Sequence, residues 1–228
     1  MKKLFSLITL LIIIVSFTIL SGCSSDSTSP LSDNLSLNTF DGNEVKAELL
    51  DSLTIDTAKI LLKDIKLNVE NSNDSTNFKT GPFVMFLQLR GRINLLTTTM
   101  IPAGTYDKIK FEIHKPDPGE TLIDPDFGDN NGRYSVVVKG TFNGHYFVYK
   151  SSQTFHQKLN FPTYISVLKD TYTNITLKAE PYKWFYSNGI YLDPSDPANA
   201  NNIDNNIRDN VNNNFRCYLD NNKDGVPD

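Results

Sequence analysis

Residues Tyr134–Tyr149 read YSVVVKGTFNGHYFVY and carry the sharpest local structural signal of the chain. Two runs of β-branched and aromatic residues, which are typical of strands, flank the dipeptide Asn143-Gly144. Both residues of the dipeptide tolerate the positive φ that a two-residue type I′ turn requires. The stretch therefore predicts a β-hairpin that turns at Asn143-Gly144.

The segments on either side alternate apolar and polar residues with a period of two rather than 3.6, as strands do. The alternation changes phase near Lys63-Asp64, which indicates either a β-bulge or two strands in sequence. Turn residues separate the segments about every ten residues, which favours an antiparallel β-sandwich with Greek-key, immunoglobulin-like connections over residues 35–180. The other predicted strands are Leu35–Thr39, Ala58–Val69, Phe83–Leu89, Ile109–Ile113, Thr154–Leu159, Tyr164–Leu168 and Thr173–Ala179.

The beginning of the chain has the form of an export signal. Lys2 and Lys3 precede an apolar run, Leu4–Leu20. The string Leu20-Ser21-Gly22-Cys23 resembles the lipobox of bacterial lipoproteins, whose cysteine receives a diacylglycerol thioether and becomes the acylated first residue after cleavage. The resemblance implies a signal peptide over residues 1–22 and lipid on Cys23.

A transmembrane anchor is the alternative for this run, because roughly 17 to 20 apolar residues span a bilayer. No basic stop-transfer cluster follows, since residues 24–29 are serine, threonine and aspartate. Residues 23–34 are therefore predicted to be the lipidated cysteine and a flexible polar tether. Several acyl chains give stable membrane anchoring, and Ser24 argues against inner-membrane retention. We expect an outer-membrane lipoprotein that faces the periplasm or the cell surface.

Charge and cysteine content exclude some functions. Without residues 1–22 the chain has 206 residues with 20 basic and 26 acidic side chains, a net charge of −6. No basic stretch is interleaved with aromatic residues, so nucleic acid is not an expected partner. With Cys23 consumed by lipid, Cys217 has no intrachain disulfide partner and is predicted to be a packed or partly exposed thiol rather than a nucleophile.

Parts of the sandwich segment resemble a family of bacterial surface lipoproteins. These parts are Ala58–Leu67 and Ile101–Lys110, and the second contains the string Pro-Ala-Gly-Thr-Tyr at residues 102–106. They are similar to a domain of unknown function whose fold is described as carbohydrate-binding-like, a prealbumin-type β-sandwich. The resemblance covers residues 35–179 and implies the fold, but one fold serves many functions.

Residues 181–228 form a predicted C-terminal extension with two distinctive features. The first is an aromatic cluster, which would stack on sugar rings if it were exposed and otherwise closes the sandwich or docks the C-terminal segment. The second is a stripe of apolar residues at every fourth position, which predicts one amphipathic helix that depends on docking, because asparagine is a poor helix former. The cluster is Tyr182, Trp184, Phe185 and Tyr186, and the stripe is Ile203, Ile207, Val211 and Phe215.

The segment Asp220–Asp228 resembles the calcium loops of EF-hands and of thrombospondin type 3 repeats. Oxygen-bearing side chains stand at positions 1, 3, 5 and 9 and glycine at position 6, but the glutamate of position 12 has no counterpart. The pattern predicts weak Ca²⁺ binding, with a solvated acidic tail as the alternative. The predicted ligands are Asp220, Asn222, Asp224, the carbonyl of Val226, and Asp228.

No catalytic motif stands out. His114, His145 and His156 are well separated and are predicted to be ordinary residues of strand faces, and no serine elbow, phosphate loop or Cys-x-x-Cys occurs. We therefore expect a non-catalytic, membrane-anchored lipoprotein that acts as a binding or structural module toward a glycan or a surface protein. A carbohydrate-binding accessory protein of polysaccharide uptake is the alternative, and a glycan-active enzyme is a third.

Overall fold

In a computed structural model of the chain, the described residues are 32–41, 52–79, 81–87, 91–208 and 215–228. They belong to one compact unit, Ser32–Asp228. The α-helices are α1 (Pro181–Trp184) and α2 (Ala200–Arg208), and 3-10 turns cover Pro125–Phe127 and Pro197–Asn199. The strands are β1 (Leu35–Phe40), β2 (Leu53–Val69), β3 (Ser75–Lys79), β4 (Phe83–Leu87), β5 (Asn94–Thr99), β6 (Gly104–Ile113), β7 (Gly128–Asp129), β8 (Gly132–Arg133), β9 (Val136–Phe142), β10 (His145–Ser151), β11 (Phe155–Val167), β12 (Thr173–Ala179), β13 (Tyr186–Ser187), β14 (Ile190–Tyr191) and β15 (Phe215–Leu219).

The predicted hairpin is confirmed. Strands β9 and β10 pair antiparallel from Phe142 and His145 onward, which leaves only Asn143 and Gly144 in the turn. The φ angles of these two residues are 49° and 78°. Both are positive, as the type I′ turn requires.

A larger sheet is built on β2, a strand of 17 residues. The N–H of Leu61 donates to the carbonyl of Ser135, and the carbonyl of Leu61 accepts from the N–H of His114, each at 2.8 Å. The N–H and C=O of one strand residue point to the same edge, so β6 and β9 lie end to end along one edge of β2. Together β6 and β9 take the place of a single strand beside β2, which residues 114–135 interrupt as an insertion.

Strands β10 and β11 repeat this arrangement one position further out, because β10 pairs with β9 and β11 pairs with β6. The N–H of Ser135 donates to the carbonyl of Ser151 at 2.8 Å, which joins the two halves at the interruption. Strands β3 and β4 also both pair with β2. The larger sheet is therefore only four strands wide, although it contains seven strands: β3 and β4 lie end to end, then β2, then β6 and β9 end to end, then β11 and β10 end to end.

Two irregularities in this sheet bear on the predicted strands. Pairing between β2 and β6 shifts register between Lys63 and Lys66, where Asp64 has a φ of 54°. The predicted phase change is thus a bulge within one strand. Strand β11 runs through both residues 154–159 and residues 164–168, with a register shift between Asn160 and Ile165. The prediction of two separate strands here is therefore wrong.

The smaller sheet has the strand order β15-β12-β1-β5. Strand β1 is parallel to β12, and the other two pairs are antiparallel. Leu35 and Leu37 of this sheet lie in the same core cluster as Ile60 and Ile109 of the larger sheet, and all four are fully buried. Burial of each such side chain contributes about 1.5–3 kcal/mol. The predicted β-sandwich is therefore confirmed.

The C-terminal segment contributes a helix and a strand that pack with the sandwich. Helix α2 buries Ile203 and Ile207, so the predicted docking of its apolar stripe is confirmed for these residues. Placing Phe215 on the same helix is wrong, because Phe215 begins β15, whose backbone pairs with β12. Val211 lies outside the described residues. Residues 215–219 thus supply an edge strand of the smaller sheet.

Candidate functional site

The lipobox-like string lies outside the described residues, which begin at Ser32. Lipid attachment at Cys23 and the signal peptide therefore stay predictions. Among the residues that the structure describes, no helix combines the length and the apolar character needed to cross a bilayer.

The aromatic cluster lies mostly inside the molecule. Trp184 and Phe185 are fully buried, and Tyr182 packs partly buried against the core. Tyr186 is 38% exposed and contacts Tyr191 edge-on, with 5.2 Å between ring centroids. A sugar-stacking platform needs exposed ring faces, and Trp184 and Phe185 present none.

The buried rings hold the C-terminal segment against both sheets. The ring of Phe185 packs against Tyr149 of β10 at 5.5 Å, and Trp184 packs against Phe215 of β15 at 6.0 Å. The carbonyl of Trp184 also accepts from Nδ2 of Asn206 in α2 at 2.9 Å. This arrangement is the docking role that the sequence left open beside sugar stacking.

The acidic loop is closed by its own hydrogen bonds. The buried carboxylate of Asp220 accepts from Oγ1 of Thr176 at 2.6 Å and from the N–H groups of Asp224 and Gly225 at 3.0 and 3.2 Å. The carboxylate of Asp228 accepts from the N–H of Asn221 at 2.7 Å. In the described part of the chain, no three His, Cys, Asp or Glu side chains converge as a metal ligand set.

The predicted ligands Asn222, Asp224 and Val226 are exposed and form hydrogen bonds with one another. Nδ2 of Asn222 donates to Asp224 at 2.9 Å, and the N–H of Val226 donates to the same carboxylate at 2.8 Å. Gly225 has a φ of 82°, and a Cβ there would lie 3.0 Å from the ring of Phe40. Glycine at position 6 therefore serves backbone geometry and packing, whether or not a cation binds.

Ion pairs fasten the insertion 114–135 to the outer face of the larger sheet. Nζ of Lys59 lies 2.8 and 2.7 Å from Asp124 and Asp126, and Lys139 reaches Asp126 at 2.8 Å. Lys139 first, and then Lys59, lower the pKa of Asp126. Burial works to lower the pKa of Lys59, but its two carboxylate partners outweigh burial and the net shift is upward. These charges stabilise the fold.

The histidines do not converge. His145 and His156 are exposed. His114 is buried where the insertion leaves the sheet, with Nε2 3.1 Å from Glu120 and Nδ1 3.5 Å from Glu112. The pKa of Glu120 is lowered chiefly by the N–H of Asp117 and further by His114. Because His114 bridges the insertion to β6, its contacts hold the two together.

Cys217 is a buried thiol in β15, which agrees with the predicted packed or partly exposed thiol. Burial raises the pKa of its thiol. Because the thiolate is the reactive form, Cys217 is an inert core residue.

A set of lysines that sequence reasoning missed lies on the outer face of the larger sheet. Lys66 of β2, Lys110 of β6 and Lys158 of β11 are direct cross-strand partners, Lys66 with Lys110 and Lys110 with Lys158. We call these three residues the lysine row. They line an open depression of about 330 Å³ that Asp64 and Glu112 also border. The three lysines are far apart in sequence, and only the pairing register of the strands aligns them.

Comparisons with known proteins do not indicate a function, so a functional proposal has to be based on the fold and the geometry of the side chains. No protein-family model, curated protein or solved structure matches the chain. The resemblance to a lipoprotein domain family therefore stays a prediction. What the structure defines is a mainly β protein with sandwich architecture and a lysine-lined outer face.

Proposed function

We propose that this protein is a non-catalytic lipoprotein, held at the outer membrane by lipid on Cys23, whose β-sandwich is a binding or structural module. The observation that carries the proposal is the string Leu20-Ser21-Gly22-Cys23 at the end of an apolar run, followed by a polar segment that leads into β1.

The start of the sandwich is fixed at Asn34. Its side chain donates to the carbonyl of Ile101 and accepts from the N–H of the same residue, each at 2.9 Å. Its carbonyl accepts from the N–H of Thr173 at 2.9 Å, and its Nδ2 donates to the carbonyl of Leu168 at 3.4 Å. The tether therefore joins the body at one defined end, where the β5–β6 and β11–β12 connections meet.

This geometry limits how far the body stands from the membrane. Residues 24–33 separate Cys23 from Asn34, and ten extended residues reach at most about 35 Å. Three exposed apolar side chains lie beside the contacts of Asn34, namely Met100, Leu168 and Tyr172. In the proposed orientation this end faces the bilayer, where tyrosine and apolar side chains suit the interface.

The buried aromatic cluster does not support a sugar platform, so the alternative of carbohydrate binding has to use another face. The lysine row lines an open, charged depression, which suits a ligand with anionic groups rather than a neutral sugar ring. A binding role is therefore favoured over a purely structural one.

The test of anchoring is metabolic labelling with a fatty-acid analogue in a bacterial host with lipoprotein processing. Wild-type protein and Cys217→Ala are expected to take up label, and Cys23→Ala is expected to take up none and to stay at precursor mass. Cys217→Ala is the matched control because it removes the other cysteine of the chain. Undiminished label in Cys23→Ala contradicts the proposal.

A further inference from the structure

The lysine row places like charges in direct opposition. Lys110 pairs in register with Lys66 on one side and with Lys158 on the other. Cross-strand partners have Cβ atoms about 5 Å apart, and like charges at such positions destabilise a sheet. The row is therefore an arrangement that folding alone does not favour.

The three lysines of the row form no ion pair in the described part of the chain. Ion pairs among the described residues involve Lys59, Lys108, Lys139, Lys150, Lys178 and Lys183, but none of the lysine row. The whole chain carries a net charge of −4. Three unpaired ammonium groups in one row are thus a local reversal of the charge of the protein.

The two carboxylates at the border of the depression leave the row free. Glu112 is turned toward Nδ1 of His114 at 3.5 Å. Asp64 stands on the bulge of β2, and no ion pair joins it to a lysine in the described part of the chain. The row spans two strand spacings, or about 10 Å. Each ammonium offers three donors and no acceptor, which suits an oxyanion with several oxygens.

We propose that the lysine row binds an oxyanion (phosphate, sulfate or carboxylate) carried by a water-soluble ligand, with the anion seated over Lys110 between Lys66 and Lys158. This proposal gives the proposed binding module a class of ligand. It rests on the proposed function, which places the ligand outside the membrane. The row lies six residues along β6 from Gly104, at the tether end, which is about 20 Å at the rise of a strand. This distance favours a ligand in the aqueous phase over a lipid headgroup.

The experiment uses the chain from residue 23 onward with Cys23→Ser, so that no lipid is attached. This form is suitable because the described core residues all belong to the unit Ser32–Asp228. The probe is tripolyphosphate, titrated calorimetrically at constant ionic strength. Lys110→Gln is compared with Lys108→Gln, which removes the same charge from the same face, two residues away, where Lys108 is paired with Asp107 at 2.7 Å.

Wild type and Lys108→Gln are expected to bind tripolyphosphate within threefold of each other, and Lys110→Gln at least tenfold more weakly. Without the probe, Lys110→Gln is expected to melt at a higher temperature than wild type, because the repulsion is relieved. Equal weakening by both substitutions, or no binding by wild type at millimolar probe, overturns the site. Tighter Lys110-dependent binding to phosphatidylglycerol vesicles than to tripolyphosphate overturns the soluble ligand. Because no lipid is attached, failure of anchoring leaves these outcomes unchanged.

Discussion

Thr176 and Asp220 are joined by a hydrogen bond of 2.6 Å between Oγ1 and Oδ2, and both residues are fully buried. Thr176 lies in the centre of β12, and Asp220 directly follows β15. The bond therefore fixes the end of the edge strand and the start of the acidic loop at once. The first residue of the calcium-like pattern is thus a structural anchor of the sandwich.

Replacing this anchor is expected to destabilise the protein. Asp220→Ala leaves Oγ1 of Thr176 and the N–H groups of Asp224 and Gly225 without their acceptor. Hydrogen bonds to a charged group contribute about 1.5–3 kcal/mol, so we expect a loss of about 3 kcal/mol in the free energy of unfolding, measured by urea denaturation. Asp228→Ala is the control and should cost less than about 1 kcal/mol, because its carboxylate is exposed. Equal losses contradict the anchor role.

Calcium binding by the loop is tested through thermal unfolding with chelator or with millimolar calcium. Calcium is expected to raise the melting temperature of wild type, since a ligand at ten times Kd stabilises the native state by about 1.4 kcal/mol. Asp224→Ala is expected to abolish the rise, because this carboxylate is exposed and stands at position 5 of the pattern. The same shift in both proteins places the cation elsewhere. No shift in either leaves a loop closed by its own hydrogen bonds.

Two glycines near the hairpin predict different costs for the same substitution. A Cβ on Gly140 would clash with the carbonyl oxygen of Thr54, whereas a Cβ on Gly144 meets no atom within 4 Å. Gly144→Ala should therefore lower the free energy of unfolding only through the strain of a positive φ, by about 1–2 kcal/mol. Gly140→Ala has to separate β9 from β2 and should cost more than about 3 kcal/mol. Both are measured by chemical denaturation, and a smaller loss for Gly140→Ala contradicts the register at that position.

The ion pairs of Asp126 predict a dependence on pH. Its folded pKa is below the ordinary 3.8, owing to Lys139 and then Lys59. A lowered folded pKa means that the stabilisation is complete above the ordinary value and is lost as the pH falls through the folded value. Asp126→Asn should therefore cost about 1 kcal/mol at pH 7. The difference between variant and wild type in the free energy of unfolding should narrow below pH 4, and a gap that stays constant to pH 2 contradicts this role.

The parts of the fold that local patterns control were predictable from the sequence. Asn143-Gly144 marks its own turn, and the phase change at Lys63-Asp64 is a local property of β2. Phe215 was misplaced because a four-residue period suits a helix, while its strand pairing is with β12, far away in sequence. The lysine row was missed for the same reason, since its charges are unremarkable within each strand and meet only through long-range register. The burial of Trp184 likewise depends on Phe215 and β15.

Attachment of the sandwich to the membrane through Cys23 is tested most directly by mass spectrometry of the N-terminal peptide from membrane-extracted protein. We expect a mature chain that begins at Cys23 and carries the added mass of a diacylglycerol group, with residues 1–22 absent. An N-terminal peptide that retains Leu4–Leu20, or an unmodified Cys23 in membrane-extracted protein, would contradict it.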